Sequence, residues 1–288
     1  MDGSVVKLIE CPRDAMQGWP DWIPTEKKIA YLSKLLEVGL DTIDCGSFVS
    51  PKAIPQMADT ADVIRSVATI KGKTRLLVIV ANVRGAREAL QHPSIDFLGY
   101  PLSVSETFQK RNTNASIAES LQNLKQMQQL CLAAEKQMVV YLSMAFGNPY
   151  GETYDESVVL EMAAKLVGQG IGIISLADTV GMATAAQVHR ITDQVIHAFP
   201  GIEVGVHLHS GPANREAKVR AAYDAGCRRF DGALLGIGGC PMANDALVGN
   251  ISTEWMVDYF RSMGVCPPLD TNAWEEALAL SRAIFSGS

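Results

Sequence analysis

Eight short, β-rich apolar runs recur along the chain, most of them followed by a stretch with helical spacing. This alternation constrains the fold more than any other feature. The runs fall at 5–11, 42–46, 76–81, 95–101, 138–145, 171–177, 204–209 and 229–235, and helix-like stretches at 25–38, 116–136, 154–167, 184–198 and 214–225. Start and stop signals support the periodicity: Pro24-Thr25-Glu26 opens the first long helix, Gly39 follows that same helix, and Gly226 follows the stretch at 214–225. Eight strands alternating with helices in a chain of 288 residues predict a (β/α)8 TIM barrel. A doubly wound open sheet is the rival. It calls for a glycine-rich dinucleotide loop after the first strand, where this chain has CPRDAMQGWP. No linker or composition break divides the chain, so one domain is expected over 1–288. The barrel would span about 5–262, and helices near 253–262 and 274–285 would carry the chain into a C-terminal extension at about 263–288.

Hydrophobic residues make up 48% and charged residues 19%, enough apolar surface for a large core. The formal net charge of −6 argues against nucleic-acid backbone binding, while leaving room for a local basic pocket. No apolar run approaches the roughly 20 residues that span a bilayer, so no membrane partner is expected. The first residues, MDGSVVKLIECPRD, have no basic region followed by an apolar stretch. The six cysteines, Cys11, Cys45, Cys131, Cys227, Cys240 and Cys266, form no CxxC pair and read as reduced thiols of a cytoplasmic protein.

In such a barrel the active site lies at the C-terminal ends of the strands. Arg13 and Asp14 close the first run, Asp44 the second and Asp178 the sixth, and His207 and His209 close the seventh. Strand ends need polar turn residues, which explains any one of these but not so many ionisable groups on one rim. Two histidines at i and i+2 on a strand share a face and can aim at one point. Asp14, on the nearby first strand, is the natural third ligand. Imidazole plus carboxylate without a thiolate pair suits Mg²⁺, Mn²⁺, Co²⁺ or catalytic Zn²⁺ rather than a structural zinc. After the eighth run, GIGGCPMANDALVGN is permissive backbone with Cys240 at its edge. It reads either as an ordinary glycine-rich turn or as a thiol on a closing loop.

Several segments resemble the metal-dependent lyase and acyltransferase barrels, and the 3-hydroxy-3-methylglutaryl-CoA lyases in particular. They are VKLIECPRDAMQ, GSFVSPKAIPQMAD, SETFQKRNTNASIAES, FGNPYGE, SLADTVGMAT, VHLH and GIGGCP followed by GNISTE, spread from about 5 to 260. The resemblance implies a divalent cation, Mg²⁺ or Mn²⁺ ahead of Co²⁺ or Zn²⁺, held by Asp14, His207, His209 and Asn250. Arg13 would contact the thioester carbonyl of an acyl-CoA substrate, and Cys240 would be the catalytic thiol. Asp14 or His207 would serve as base. Ser175 and Thr179 match positions near the substrate's free carboxylate, and Gln17, Ser47 and Asn112 match site-lining positions. Asp178 matches a carboxylate behind the site, and Asp44 one that supports Arg13. A homodimer is the implied assembly. The implied reaction cleaves the substrate to acetoacetate and acetyl-CoA.

The chain departs from the family pattern at several points. Ala15 replaces a glycine, Asp44 a glutamate, and Ser210 an aspartate; Gly211-Pro212-Ala213-Asn214 replaces the usual continuation. The segment from Cys240 to Asn250 is one residue longer than usual, which makes Asn244 an alternative ligand to Asn250. The competing readings are a related aldolase or Claisen-type acyltransferase acting on another acyl-CoA or keto acid, and a barrel that binds acyl-CoA or metal without turnover.

Overall fold

The structure, a computed structural model, describes residues 4–239 and 248–286. The strands are β1 (Lys7–Glu10), β2 (Thr42–Ser47), β3 (Arg75–Ile79), β4 (Phe97–Ser103), β5 (Gln137–Ser143), β6 (Ile173–Asp178), β7 (Glu203–Leu208) and β8 (Arg229–Gly232). Each pairs in parallel with the next in sequence, and β8 pairs with β1 from Lys7↔Arg229 to Glu10↔Gly232, closing the barrel. The helices from the amino-terminal half are α1 (Pro12–Gln17), α2 (Thr25–Val38), α3 (Thr60–Val67), α4 (Val83–Ala89), α5 (Glu106–Thr113) and α6 (Ile117–Ala133). After them come α7 (Ser157–Gly168), α8 (Ala185–Ala198), α9 (Arg215–Asp224), α10 (Thr253–Ser262) and α11 (Thr271–Phe285).

The expected (β/α)8 barrel is the observed fold, and all eight runs contain strands whose ends shift by three residues at most. Four short helices lie outside the sequence expectation: α1, α3, α4 and α5. None exceeds 8 residues, little more than two turns, so the apolar period barely repeats before it stops. The run expected to continue as strand to Leu235 ends at Gly232 instead. Beyond it the Glu10 and Glu254 carboxylates accept hydrogen bonds from the N–H groups of Leu234 and Leu235, which turns the chain out of the ladder.

Two apolar regions hold the fold. One lies between sheet and helices, where α2 buries Leu32, Leu35 and Leu36 and α8 buries Val188, Ile191 and Val195. α11 packs its buried Trp274, Ala277 and Leu278 on the same outer layer. The second is inside the barrel: Leu77, Ile79, Phe97, Val139, Tyr141 and Ile173 form an apolar wall contributed by β3 to β6. On the opposite wall, β8 and β2 contribute the buried Arg229, Asp231 and Asp44, and Cys11 is buried just after β1. Arg229 fills the space beside Gly205, where a Cβ would sit 2.8 Å from the arginine Cδ. Its guanidinium reaches across to the Phe97 ring, 6.0 Å from the centroid.

Glu10 joins the two ends of the closure. It is fully buried on β1, accepts the Leu234 N–H at 2.8 Å and accepts the Thr253 hydroxyl at the start of α10. Burial pushes its carboxyl up to about 8, against the pull of those hydrogen bonds. Because the folded value lies above the unfolded one, the native state favours the protonated acid. Stability is therefore undiminished below about pH 4.5 and falls as pH rises toward about 8, by a few kcal/mol in order of magnitude. Glu10→Gln is expected to flatten that fall, measured as the difference in denaturation free energy between pH 5 and pH 9 for the two proteins.

Candidate active site

The mouth of the barrel is a pocket of about 510 Å³ at the C-terminal ends of the strands. Arg13, Asp14, Gln17, Asn112, Thr179, His207 and His209 are among the residues that line it. Local structure brings the first pair there. Pro12 begins α1 immediately after β1, a position where its missing N–H costs nothing, and this single turn turns Arg13 and Asp14 onto the rim.

Arg13 is nearly buried and has carboxylates on two sides. Its Nε donates to Asp44 Oδ2 at 3.0 Å, its Nη2 to the same oxygen at 2.5 Å, and its Nη1 to Asp14 Oδ1 at 3.0 Å and Gln17 Oε1 at 2.9 Å. Burial works to lower its pKa, but Asp44 and Asp14 outweigh that and raise it above the ordinary arginine value. Asp44 itself is pushed up to about 6 by burial, with Arg13 opposing. Asp14 is held below the usual carboxylate range: burial pushes it up, but Arg13 and the two imidazoles prevail.

The imidazoles of His207 and His209 lie 5.1 Å apart between centroids. His207 sits within β7; His209 lies just beyond it and bridges to Asn250 in antiparallel fashion. Each ring uses Nδ1 internally. That of His207 lies 3.3 Å from Asp231 Oδ2, and that of His209 donates to the Val248 carbonyl at 2.9 Å. Burial and the neighbouring His207 lower His209 to about 4, so it is neutral at physiological pH. His207 is raised instead; burial would lower it, but Asp231 outweighs that. Asn250 donates from Nδ2 to Asp14 Oδ2 at 2.7 Å and to the Ile237 carbonyl at 2.9 Å. Gly238 is what lets these groups close up. It has φ +112°, and a Cβ there would sit 2.4 Å from Asn250 Nδ2 and 2.9 Å from Asp14 Oδ2.

This donor set fits a divalent cation: one ionised carboxylate, an amide and two imidazoles whose Nδ1 atoms are already engaged, leaving Nε2 as the remaining donor. A deeper group also packs tightly, since Cys11, His207 and Asp231 offer donor atoms within 4.8 Å of one another. There, burial and then the Asp231 and Asp44 carboxylates hold the Cys11 thiol far above its ordinary pKa. It stays protonated and is a poor ligand.

The remaining sequence-derived residues divide between the pocket and the shell behind it. Ser175 is fully buried and donates to Asp231 Oδ2 at 3.3 Å. Ser47 is buried and donates to the Ile79 carbonyl at 3.3 Å. Asp178 is buried against Lys218, 2.7 Å away. Thr179 Oγ1 accepts the Met144 N–H at 2.9 Å. Cys240 and Asn244 lie outside the described residues. Sequence reasoning missed Asp231, Tyr141 and Lys218. Tyr141 was legible as a polar-tipped position on an inward-facing strand, but Asp231 reads only as a break in a short apolar run, and Lys218 carries no signal on its helix.

An acid, a guanidinium and two imidazoles around a pocket at the C-terminal mouth of a parallel barrel define the class: an enzyme of the (β/α)8 type with a mixed nitrogen and oxygen site. The HMGL-like family model matches residues 6–280, and the chain belongs to that family. A hydroxymethylglutaryl-CoA lyase of Bacillus subtilis, YngG, is 36% identical over 254 residues, covering 88% of this chain and 84% of that protein. The mitochondrial hydroxymethylglutaryl-CoA lyase of Mus musculus is 35% identical over 90% of this chain and 79% of its own length. Among solved structures, an HMG-CoA lyase from Acinetobacter baumannii in complex with coenzyme A and 3-methylmalate superposes with a TM-score of 0.90 at 31% identity. That match covers 100% of this chain and 93% of that one.

Removing Asp44 leaves the Arg13 charge buried with its strongest partner gone. Asp44→Ala is expected to cost about 3 kcal/mol or more, the range for breaking a buried pair, measured by chemical denaturation near pH 7.5, where Asp44 is ionised.

Proposed function

We propose that this chain is a divalent-metal-dependent carbon–carbon lyase that cleaves 3-hydroxy-3-methylglutaryl-CoA, or a close 3-hydroxyacyl-CoA, to acetoacetate and acetyl-CoA. The observation that carries the reading is the fixed cluster of Arg13, Asp14, His207, His209 and Asn250 at one side of a pocket otherwise open to a substrate. The relatives named above, and the coenzyme A found in one of them, support the acyl-CoA substrate.

Asp14, His207, His209 and Asn250 would hold the cation; this oxygen-and-imidazole set suits Mg²⁺, Mn²⁺, Co²⁺ or catalytic Zn²⁺, and the family resemblance puts Mg²⁺ or Mn²⁺ first. Bound there, the ion supplies Lewis-acid charge that lowers the pKa of the substrate's 3-hydroxyl.

In this reading, cleavage begins as that hydroxyl loses its proton to a rim base, for which Asp14 and His207 are the groups in place. The oxygen lone pair then forms the ketone of acetoacetate as the bond between the second and third carbons breaks. The electron pair moves onto the acetyl-CoA fragment as an enolate. Arg13, whose charge is fixed by its two carboxylates, faces the oxygen where that negative charge gathers. Cys240 then donates a proton to the enolate carbon, giving acetyl-CoA. Gln17, Asn112 and Thr179 would contact the acyl group. Ser47, Asp178 and Ser175 would act from behind the pocket wall, Ser175 through Asp231. A homodimer in the cytoplasm is the assembly and location that the family resemblance and the unpaired thiols support.

A coupled assay for acetyl-CoA release from 3-hydroxy-3-methylglutaryl-CoA, with Mn²⁺ and after chelation, tests the proposal. Cation-dependent release is expected; a folded, metal-loaded protein that releases no acetyl-CoA from such substrates would end it. Cys240→Ala is expected to keep cation binding and lose cleavage by about 10²-fold or more, the effect of removing a general acid. His207→Ala and His209→Ala are expected to weaken Mn²⁺ binding in a calorimetric titration, and wild-type affinity in both would remove the ligand assignment.

A further inference from the structure

Lys218 lies on α9 yet is almost wholly buried, 2% exposed, beneath the loops of the barrel mouth. Its Nζ donates to three oxygens: Asp178 Oδ2 at 2.7 Å, the Gly181 carbonyl at 3.0 Å and the His209 carbonyl at 3.1 Å. An ammonium has three donors, so this lysine is saturated, and its acceptors come from the end of β6, the loop after it and the residue after β7.

Each main-chain anchor leads to a group of the proposed cation site. His209 is tied to Lys218 through its carbonyl while its ring donates from Nδ1 to the Val248 carbonyl. Gly181, with φ +72°, packs so closely on Val248 that a Cβ would lie 3.0 Å from that side chain. The Ser210 N–H reaches the Gly249 carbonyl at 3.2 Å, and His209 bridges to Asn250. The segment carrying Asn250 therefore rests on the two backbone positions that Lys218 holds.

We propose that Lys218 is a positioning residue for cation binding: through the His209 and Gly181 carbonyls it sets His209 and the Val248–Asn250 segment in register, without touching substrate. The inference rests on the cation site proposed above. A simpler role is separable from it, in which Lys218 only neutralises the buried Asp178 carboxylate, itself raised by burial and pulled down by this lysine. Charge neutralisation can be replaced by removing both charges; the two main-chain hydrogen bonds cannot.

Three proteins decide the matter: the wild type, Lys218→Met, and the double variant Lys218→Met with Asp178→Asn. Mn²⁺ affinity is measured by electron paramagnetic resonance titration, and stability by chemical denaturation at the same pH. Lys218→Met is expected to lose stability, because it strands a buried carboxylate, and to bind Mn²⁺ about 10- to 100-fold more weakly, as for loss of an outer-shell partner. The double variant is expected to regain most of the stability while its Mn²⁺ affinity stays low. If Lys218→Met does not fold, the double variant carries the test alone. Wild-type Mn²⁺ affinity in the double variant would overturn the inference and leave Lys218 a charge-balancing residue. Absence of Mn²⁺ binding in the wild type would remove the cation site itself, and this inference with it.

Discussion

The site depends on a positive charge held out of water. Arg13 sits among Asp44 of β2 and Asp14 and Gln17 of its own helix α1, with Asn250 holding Asp14 from the other side. Burying a guanidinium is costly unless its donors are matched, and here Nε, Nη1 and Nη2 all have partners. The same contacts keep Asp14 ionised beside the imidazoles. One network thus fixes the orientation of the arginine, the charge of the acid and the angle at which the single turn of α1 meets the pocket. Asp44, shorter by a methylene than the glutamate expected from the family pattern, still reaches the guanidinium with both oxygens.

The histidine pair obeys the same logic. Period-two geometry puts both rings on one side, but their chemical state is set elsewhere: Asp231 on β8 for His207, the Val248 carbonyl for His209. Burial keeps His209 a lone-pair donor at neutral pH. A layer of partners beneath the rim therefore decides what the rim can bind.

The fold was legible because a parallel barrel writes itself as a repeated strand-and-helix rhythm, and strand ends mark its mouth. Arg13, Asp14, His207 and His209 were legible for the same reason, being polar residues at the ends of apolar runs. The second layer was not. Asp231 lies inside a short strand, where a carboxylate reads as a break in the apolar pattern, and Lys218 looks like any charged residue on a helix of low amphipathicity. Both acquire meaning only when elements distant in sequence are brought together, Lys218 by a bond to a residue 40 positions away. Short α3 and α4 escaped because two turns give the period too little length to repeat.

The interior of the barrel adds a consequence for how such a sequence can drift. The stem of Arg229 occupies the volume that Gly205 leaves empty, so each residue presupposes the other. Enlarging the glycine alone collides with the arginine, and shortening the arginine alone opens a void in the cylinder. Homologous chains that carry a side chain at the first position should carry a smaller one at the second, so the two sites should covary as a pair.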